Sequence, residues 1–327
     1  MQKLYRVNEF VGRHMPWFVL GCLALGLGFP DAMSHLSRVA VPLFAFMTFA
    51  NSLGGGFREI GQVVRHPLPA VSCLLVLHVA MPLLTLAVGR VFFADAPLFA
   101  LGLLLEYMVP TGVTTLMWVG IGGGNVPLCL ALVLLDTLAA PFVIPLTLRV
   151  LAGSVVELDT LGMIGDMVVM VAIPALAAMA LYQATGGRVA STLQPRLAPF
   201  AKLALLLIII SNSTRCAPFL HDINATLLKV VAAAFCLCVL GFALGYWAGL
   251  GLRQPFPTKL TMSLNAGFRN ISVGAVLAAQ YFPADVMFPV AFTPLFLQLT
   301  TSAVVKVLCA TGSGRAWRAR SAEKISQ

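Results

Sequence analysis

The chain has 327 residues, of which 59% are hydrophobic and only 10% are charged. Soluble domains carry roughly a quarter charged residues, so an ordinary soluble domain is excluded. The net charge of +9 comes from cations in short gaps between apolar runs and in the C-terminal segment. This is the pattern of membrane-flanking loops and not of a nucleic-acid-binding surface. We therefore expect one all-α polytopic domain over residues 1–327 that contacts the lipid bilayer and binds no nucleic acid.

Apolar runs bounded by proline, glycine and charged residues predict about ten transmembrane helices. Each run is long enough to cross the hydrocarbon core of a bilayer, which requires about 20 residues. In chain order, the predicted spans lie at residues 15–30, 36–53, 69–91, 97–119, 126–150, 160–182, 199–220, 224–252, 257–282 and 285–310.

Lysine and arginine are distributed unequally between alternate gaps. With the N-terminus inside, fifteen of these cations fall on the cytoplasmic side and five on the other. Because cytoplasmic loops carry the excess of Lys and Arg, both termini are predicted to be cytoplasmic. We expect a multi-pass protein of the cell inner membrane or plasma membrane, with a basic cytoplasmic tail at 311–327.

The two halves of the chain, 12–152 and 158–310, resemble each other weakly. The fourth and ninth spans each carry a helix-breaking cluster in mid-membrane, PTG at 110–112 and NAG at 265–267. With five spans per half, the second half enters the membrane from the opposite side, which predicts an inverted repeat. Paired interrupted helices at matching places indicate a transporter binding site. The alternative for either break alone is a proline kink.

Arg269 is an unusual residue for the middle of an apolar span. Because a buried guanidinium is costly, it requires a counter-charge. Candidates are Asp136 in the fifth span, Glu106 just before the first break, or an anionic substrate, since Arg holds a carboxylate in bidentate fashion. Asp136 is either a proton carrier, a partner of Arg269 or half of a static ion pair, and Glu106 has the same ambiguity. An internal salt bridge without a transport role is the other interpretation of Arg269.

Two stretches of the sequence resemble the bile acid:sodium symporter family. The segment VPTGVTTLMWVGIGGGNVPLCLALVLLDTLAAPFVIP, from residue 109, is similar to its proline- and glycine-rich break, Gly-Asn turn and proline-punctuated next span. The segment NAGFRNISVGAVLAAQYF, from residue 265, resembles its second break, and FREIGQVVRHP, from residue 57, resembles a loop of the family. The resemblance implies a panel domain and a core domain in which two discontinuous helices cross.

The same resemblance identifies departures at the positions of the sodium ligands. The family's sodium-binding glutamate falls at Asn265 and its neighbouring glutamine at Arg269. Thr115 stands in place of a serine, and Cys129 in place of a hydroxyl ligand. Sodium requires several hard oxygen ligands, following the logic of other hard cations. We therefore expect degenerate sodium positions and no confident metal site, and Arg269 supplies a permanent charge in place of a bound cation.

The sequence thus predicts a secondary transporter for a small organic anion, without the family's usual sodium sites. We expect no organic cofactor and, lacking a nucleophile–base pair or metal cluster in the sequence, no enzyme activity. The alternative is a non-transporting membrane sensor or scaffold that kept the transporter fold. The predicted substrate-binding residues lie at the two breaks: Thr111, Thr114, Thr115, Asn265, Arg269 and Asn270.

Overall fold

The computed structural model describes residues 10–11, 14–65, 67–153, 155–221 and 224–325. Within these ranges the chain is built from α-helices, with no strand and one isolated β-bridge. Residues 1–9, the predicted start of the first repeat at 12 and the last two residues of the basic tail lie outside the described residues.

The α-helices follow one another with short connections. In chain order they are α1 Met15–Gly28, α2 Pro30–Met33, α3 Ser37–Ser52, α4 Phe57–Arg65, α5 Pro67–Leu75, α6 Met81–Phe92, α7 Pro97–Met108, α8 Thr115–Gly122, α9 Val126–Ala152, α10 Thr160–Met167, α11 Ile173–Ala184, α12 Arg188–Thr192, α13 Gln194–Ser213, α14 Ala217–His221, α15 Ala225–Gly251, α16 Phe256–Gly267, α17 Ile271–Tyr281, α18 Ala284–Ala310 and α19 Gly312–Ile325.

The protein is a polytopic membrane protein. In the described part of the chain, seven helical segments are long and apolar enough to cross a bilayer: Pro30–Ser52, Pro67–Phe92, Val126–Ala152, Thr160–Ala184, Gln194–Phe219, Ala225–Gly251 and Ala284–Ala310. Three shorter apolar helices cover Trp17–Gly28, Pro97–Met108 and Ile271–Tyr281. Helices therefore lie along every segment predicted from hydropathy, whereas Phe57–Arg65 of the FREIGQVVRHP stretch, predicted as a loop, forms α4.

Two of the long segments contain a π-helical turn. Val76–Ala80 joins α5 to α6, and Val168–Ala172 joins α10 to α11. A proline follows each turn at the start of the next helix, Pro82 in one case and Pro174 in the other. Because proline has no N–H to donate, the regular helical ladder is interrupted and a wider turn is tolerated there. Such turns occur frequently at functional sites.

The two helices interrupted in mid-sequence are the fourth and ninth predicted segments. α7 ends at Met108 and α8 begins at Thr115, so residues 109–114 form the first break. α16 ends at Gly267 and α17 begins at Ile271, so residues 268–270 form the second. Both breaks are largely buried, and they cross each other through the β-bridge between Thr111 and Arg269.

A glycine stripe brings α15 against α16. A Cβ at Gly245 would lie 2.4 Å from the carbonyl oxygen of Met262, and a Cβ at Gly241 would lie 3.0 Å from that of Ala266. The four-residue spacing of these glycines predicts close helix packing, and the structure confirms it. α16, which leads into the second break, is thereby held directly against a continuous helix.

The turn between α8 and α9 anchors the other broken helix. Gly123 ends α8 in the left-handed conformation, with φ of 73°, and Asn125 caps α9 by accepting a hydrogen bond from Leu128 N at 3.1 Å. The N–H of Asn125 donates to Oγ1 of Thr261 on α16 at 2.8 Å. The glycine-rich sequence GIGGGN at residues 120–125 predicts a tight turn, which the structure confirms, and this turn links the two broken helices at a second place.

Candidate functional site

The two breaks satisfy each other's backbone groups. Interrupted helices leave N–H and carbonyl groups that hydrocarbon has no means of pairing. Here they pair across the crossing, as in a minimal antiparallel ladder. The bonds run from Gly112 N to the Phe268 carbonyl at 3.3 Å and from Asn270 N to the Pro110 carbonyl at 2.8 Å. The crossing is consequently a defined backbone structure, and the side chains on it are held in place.

Arg269 lies at the centre of the crossing and is 2% exposed. Its Nη1 donates to the Val109 carbonyl at 3.5 Å, the outer limit of a hydrogen bond, and its guanidinium carbon lies 6.0 Å from the centre of the Tyr107 ring. Nε and Nη2 have no hydrogen-bond partner among the described residues. A buried cation with two free donor nitrogens is thus presented where the helices cross.

Glu106 is the second poorly satisfied group at the crossing. It is 0% exposed, and neither carboxyl oxygen has a hydrogen-bond partner among the described residues. The hydroxyl of Thr293 on α18 adjoins this carboxyl but donates to the Pro289 carbonyl of its own helix at 3.0 Å. Glu106 is an electrostatic neighbour of Arg269 but lies beyond ion-pair distance from it.

Asp136 is held by two groups other than Arg269. Its Oδ1 lies 2.6 Å from Nε2 of His78, and its Oδ2 accepts a hydrogen bond from the Thr111 N–H at 2.7 Å. The direct ion pair with Arg269 that the sequence allowed is therefore not formed. His78 is the nearer partner because the π-helical turn carries it toward α9, and Asp136 instead braces the first break.

The buried threonines of the first break bond to protein atoms. Oγ1 of Thr111 donates to the Phe268 carbonyl at 3.1 Å and lies 3.5 Å from Oγ1 of Thr115. Thr114, in contrast, precedes α8 with an exposed side chain, and Asn270, the residue before α17, is half-buried. The crossing therefore brings Thr111, Thr115 and Arg269 together and leaves Thr114 facing outward.

Cys129 and Asn265, two positions where the sequence predicts degenerate sodium ligands, lie in contact. Nδ2 of Asn265 lies 3.3 Å from the Cys129 sulfur and donates to the Thr261 carbonyl at 2.9 Å. The pair offers one amide oxygen and a sulfur, and no carboxylate. No cluster of three His, Cys, Asp or Glu side chains suited to a metal occurs in the described ranges.

The crossing is closed in this conformation. Thr111, Thr115 and Asn265 are each 0% exposed. A cavity of about 230 Å³ lies elsewhere, between the end of α6, the start of α7 and the end of α9, with mainly apolar lining residues such as Phe93 and Leu104. The polar cluster at the breaks is therefore separate from this apolar cavity.

Comparison with known proteins identifies the family. Residues 41–217, more than half of the chain, match the sodium bile acid symporter family. The chain belongs to this family. An uncharacterized protein of Bacillus subtilis, YbaS, is 37% identical over 261 residues, which cover 80% of this chain and 85% of that protein.

More distant relatives of this sodium bile acid symporter family member carry functional names. A probable chloroplastic sodium/metabolite cotransporter of Oryza sativa, BASS1, is 26% identical, covering 85% of this chain and 68% of its own. An uncharacterized sodium-dependent transporter of Bacillus subtilis, YocS, is 22% identical, covering 86% of each chain. The family match includes the first break, Cys129 and Asp136, and it ends before α16.

The sequence located both breaks of this family member, but it missed how their polar groups are connected. The apolar span around His78 predicts a hydrogen-bonded core histidine, with a proton relay as the alternative, and nothing in the sequence marks Tyr107. Tyr107 donates to the Ala234 carbonyl on α15 and lies beside Arg269. The only signal for His78 in the sequence was the following Met-Pro pair, which produces the π-helical turn.

Proposed function

We propose that this protein is a secondary transporter that moves a small organic anion across the membrane through a site at the helix crossing. The observation that carries the proposal is Arg269, a buried guanidinium that, among the described residues, has two donor nitrogens without a partner and no acid within ion-pair distance. Two adjacent N–H groups in a planar fork match the two oxygens of a carboxylate. The membrane relatives named as transporters support the same class of function.

The location of Arg269 favours a substrate role over a purely structural one. A structural arginine in a membrane interior is expected to have its donors paired, because an unpaired buried donor costs about 1–3 kcal/mol. Arg269 has one long hydrogen bond and one cation–π contact, and its remaining donors lie beside the backbone bridge of the two breaks. An anion that enters when the crossing opens would pair with these donors.

We propose that transport proceeds without the usual sodium sites of the family. The relatives' names include sodium, but the predicted sodium positions of this chain are occupied by Thr115, Cys129 and Asn265. The last two are bonded to each other. Arg269 itself would repel a cation bound beside it by about 4 kcal/mol at 4 Å in a partly polar protein environment. Both points argue for a fixed positive charge in place of the ion.

The architecture belongs to the same proposal. We infer ten spans arranged as two inverted five-helix repeats, 12–152 and 158–310, with a panel domain and a core domain that contains the two crossed helices. The matching positions of the breaks support this arrangement, since each lies in the fourth span of its half. Both termini would lie in the cytoplasm, with the protein in the inner or plasma membrane.

Uptake into proteoliposomes is the direct test. Purified protein is reconstituted and offered taurocholate, pyruvate and 2-oxoglutarate as labelled anions, in sodium and in choline buffers of equal ionic strength. Saturable uptake that is lost in Arg269→Gln supports the proposal. Uptake equal to that of empty liposomes for every probe would instead favour the alternative, a sensor or scaffold that kept the fold.

A further inference from the structure

A chain of polar contacts connects the first break to the protein's exterior. The Thr111 N–H in the break bonds to Asp136, and Asp136 bonds to His78 in the π-helical turn. Asp136 is 0% exposed, whereas the side chain of His78 is 14% exposed. His78 is therefore the member of the chain that lies partly at the protein surface, and histidine is the only side-chain type that changes charge between about pH 5 and pH 8 without perturbation.

The charges around the crossing balance when His78 is neutral and no anion is bound. The Asp136 carboxylate contacts His78 through one oxygen and accepts from the Thr111 N–H through the other, and Arg269 carries the opposite charge. Glu106, whose oxygens have no hydrogen-bond partner among the described residues, counts as a neutral acid, because an unpaired carboxylate inside the protein is prohibitively costly. An anion added to this neutral cluster would leave one uncompensated negative charge in a medium of low dielectric constant.

We propose that the coupling ion of this transporter is a proton carried by His78, which frees Arg269 to bind the anion. This inference rests on the proposed function. When the free ring nitrogen of His78 binds a proton, the imidazolium neutralises Asp136 across their 2.6 Å contact. Arg269 then becomes the uncompensated charge, and an anion restores neutrality. Proton and anion bind cooperatively and leave together.

The same contacts couple protonation to the first break. Asp136 holds the Thr111 N–H at 2.7 Å, and Thr111 pairs with Arg269 in the β-bridge. An imidazolium draws charge from the carboxylate and weakens its hold on that N–H. The break is thereby released from its brace when the proton arrives, which is when the anion requires access to Arg269.

Other titratable groups face this cluster from each neighbouring helix. These groups are Cys73 on α5, Glu106 and Tyr107 on α7, Cys129 on α9, Cys238 on α15 and Arg269 in the second break. The three thiols are buried, which makes them poor proton carriers, and the phenol of Tyr107 donates to the α15 backbone. Unlike each of these groups, His78 is partly exposed and directly contacts an acid.

Taurocholate uptake into liposomes loaded with the pH dye pyranine tests the inference. Taurocholate is a sulfonate that stays ionised, so a change of internal pH reports protons moved by the protein. The wild type is expected to acidify the lumen during uptake, and on the alkaline side of the transition its affinity should rise about tenfold for each unit by which the pH falls, as one linked proton requires. His35→Gln, a change of an exposed histidine in the turn before α3, serves as the matched control.

Two variants of His78 give opposite expectations. His78→Gln, which stays neutral, should bind taurocholate weakly at every pH and move no protons. His78→Lys, which stays charged, should bind it at every pH as tightly as the wild type does in acid, again without moving protons. Both variants are checked for folding by size-exclusion chromatography, and the Lys variant keeps the inference testable if the Gln variant fails to fold.

The outcomes separate this inference from the proposed function. Taurocholate uptake without acidification, or a pH dependence unchanged in both His78 variants, overturns the proton inference and leaves anion transport standing. No saturable uptake by the wild type overturns the proposed function for this anion and the inference with it. A sodium-dependent uptake that leaves the pyranine signal flat overturns proton coupling in favour of sodium.

Discussion

Replacing Arg269 by methionine should stabilise the protein while removing its anion transport. Methionine keeps most of the side-chain volume and removes the charge. Burying the guanidinium costs about 3 kcal/mol on insertion scales. Its contacts offset little of this: a hydrogen bond at 3.5 Å contributes about 0.5 kcal/mol, and a cation–π contact at 6.0 Å about 0.5–1 kcal/mol. We expect the free energy of unfolding to rise by at most about 1.5 kcal/mol, since Arg269 also attracts the nearby carboxylate of Asp136.

Reversible unfolding in mixed micelles gives the stability change, and taurocholate uptake gives the function. Arg215→Met is the matched control. Arg215 also donates to a backbone carbonyl, that of Phe282, at 3.5 Å, but its side chain is exposed. Because the Arg215 side chain is exposed, removing it relieves no cost of burying a charge. The Arg215→Met protein should therefore be slightly less stable than the wild type or equally stable, with uptake intact.

A structural ion pair would give the opposite sign at Arg269. Breaking a buried pair costs about 3–5 kcal/mol, because the remaining charge is stranded. A loss of that size in Arg269→Met, recovered by adding Glu106→Gln or Asp136→Asn together with recovered uptake, would refute the substrate role. Recovered stability without uptake would retain Arg269 as the anion-binding residue.

Three further predictions follow from the packing and the charges. Replacing sodium by choline should change anion uptake by less than about tenfold, or 1.4 kcal/mol, and a steeper dependence would show that oxygen ligands for sodium are present. Cysteines introduced at either terminus of a Cys236→Ser background should react with impermeant reagents only from the cytoplasmic side, and outside labelling would overturn the topology. Gly245→Ala should destabilise by about 1–3 kcal/mol, because its Cβ would lie 2.4 Å from the Met262 carbonyl, whereas Gly251→Ala on the same helix meets open space and should not.

The breaks were predictable from the sequence because their cause is local. Proline and glycine at 110–112 interrupt the first helix, and the NAG cluster at 265–267 marks the end of the second, although these three residues are still helical and the break itself follows at 268–270. The glycines at 241 and 245 were predictable for a similar reason, since their spacing places them on one face of a helix. In both cases the information is carried by residues within one or two turns of each other.

The partner of Asp136 was not predictable, because it depends on how helices rotate about their axes. α9 is apolar around its whole circumference, so its sequence does not specify which face meets which neighbour. Rotating α9 by a quarter turn would exchange His78 for another partner. The orientation is fixed by tertiary contacts, including the Thr111 N–H, which a hydropathy pattern does not encode.

The exchange of a bound cation for an arginine also sets a requirement on the rest of the site. A coupling ion has to arrive and leave in every cycle, but a guanidinium stays protonated in proteins. Arg269 therefore supplies the positive charge of the ion, but it does not bind and dissociate in each cycle as the ion does. In the proposed transporter the exchangeable charge has to reside on another group that reaches water and senses Arg269. Within the described ranges we assign this role to His78, which is partly exposed and is connected to the Thr111–Arg269 bridge through Asp136. A variant that keeps Arg269 but fixes the charge at position 78, such as His78→Lys, should bind anions but fail to accumulate them against a gradient.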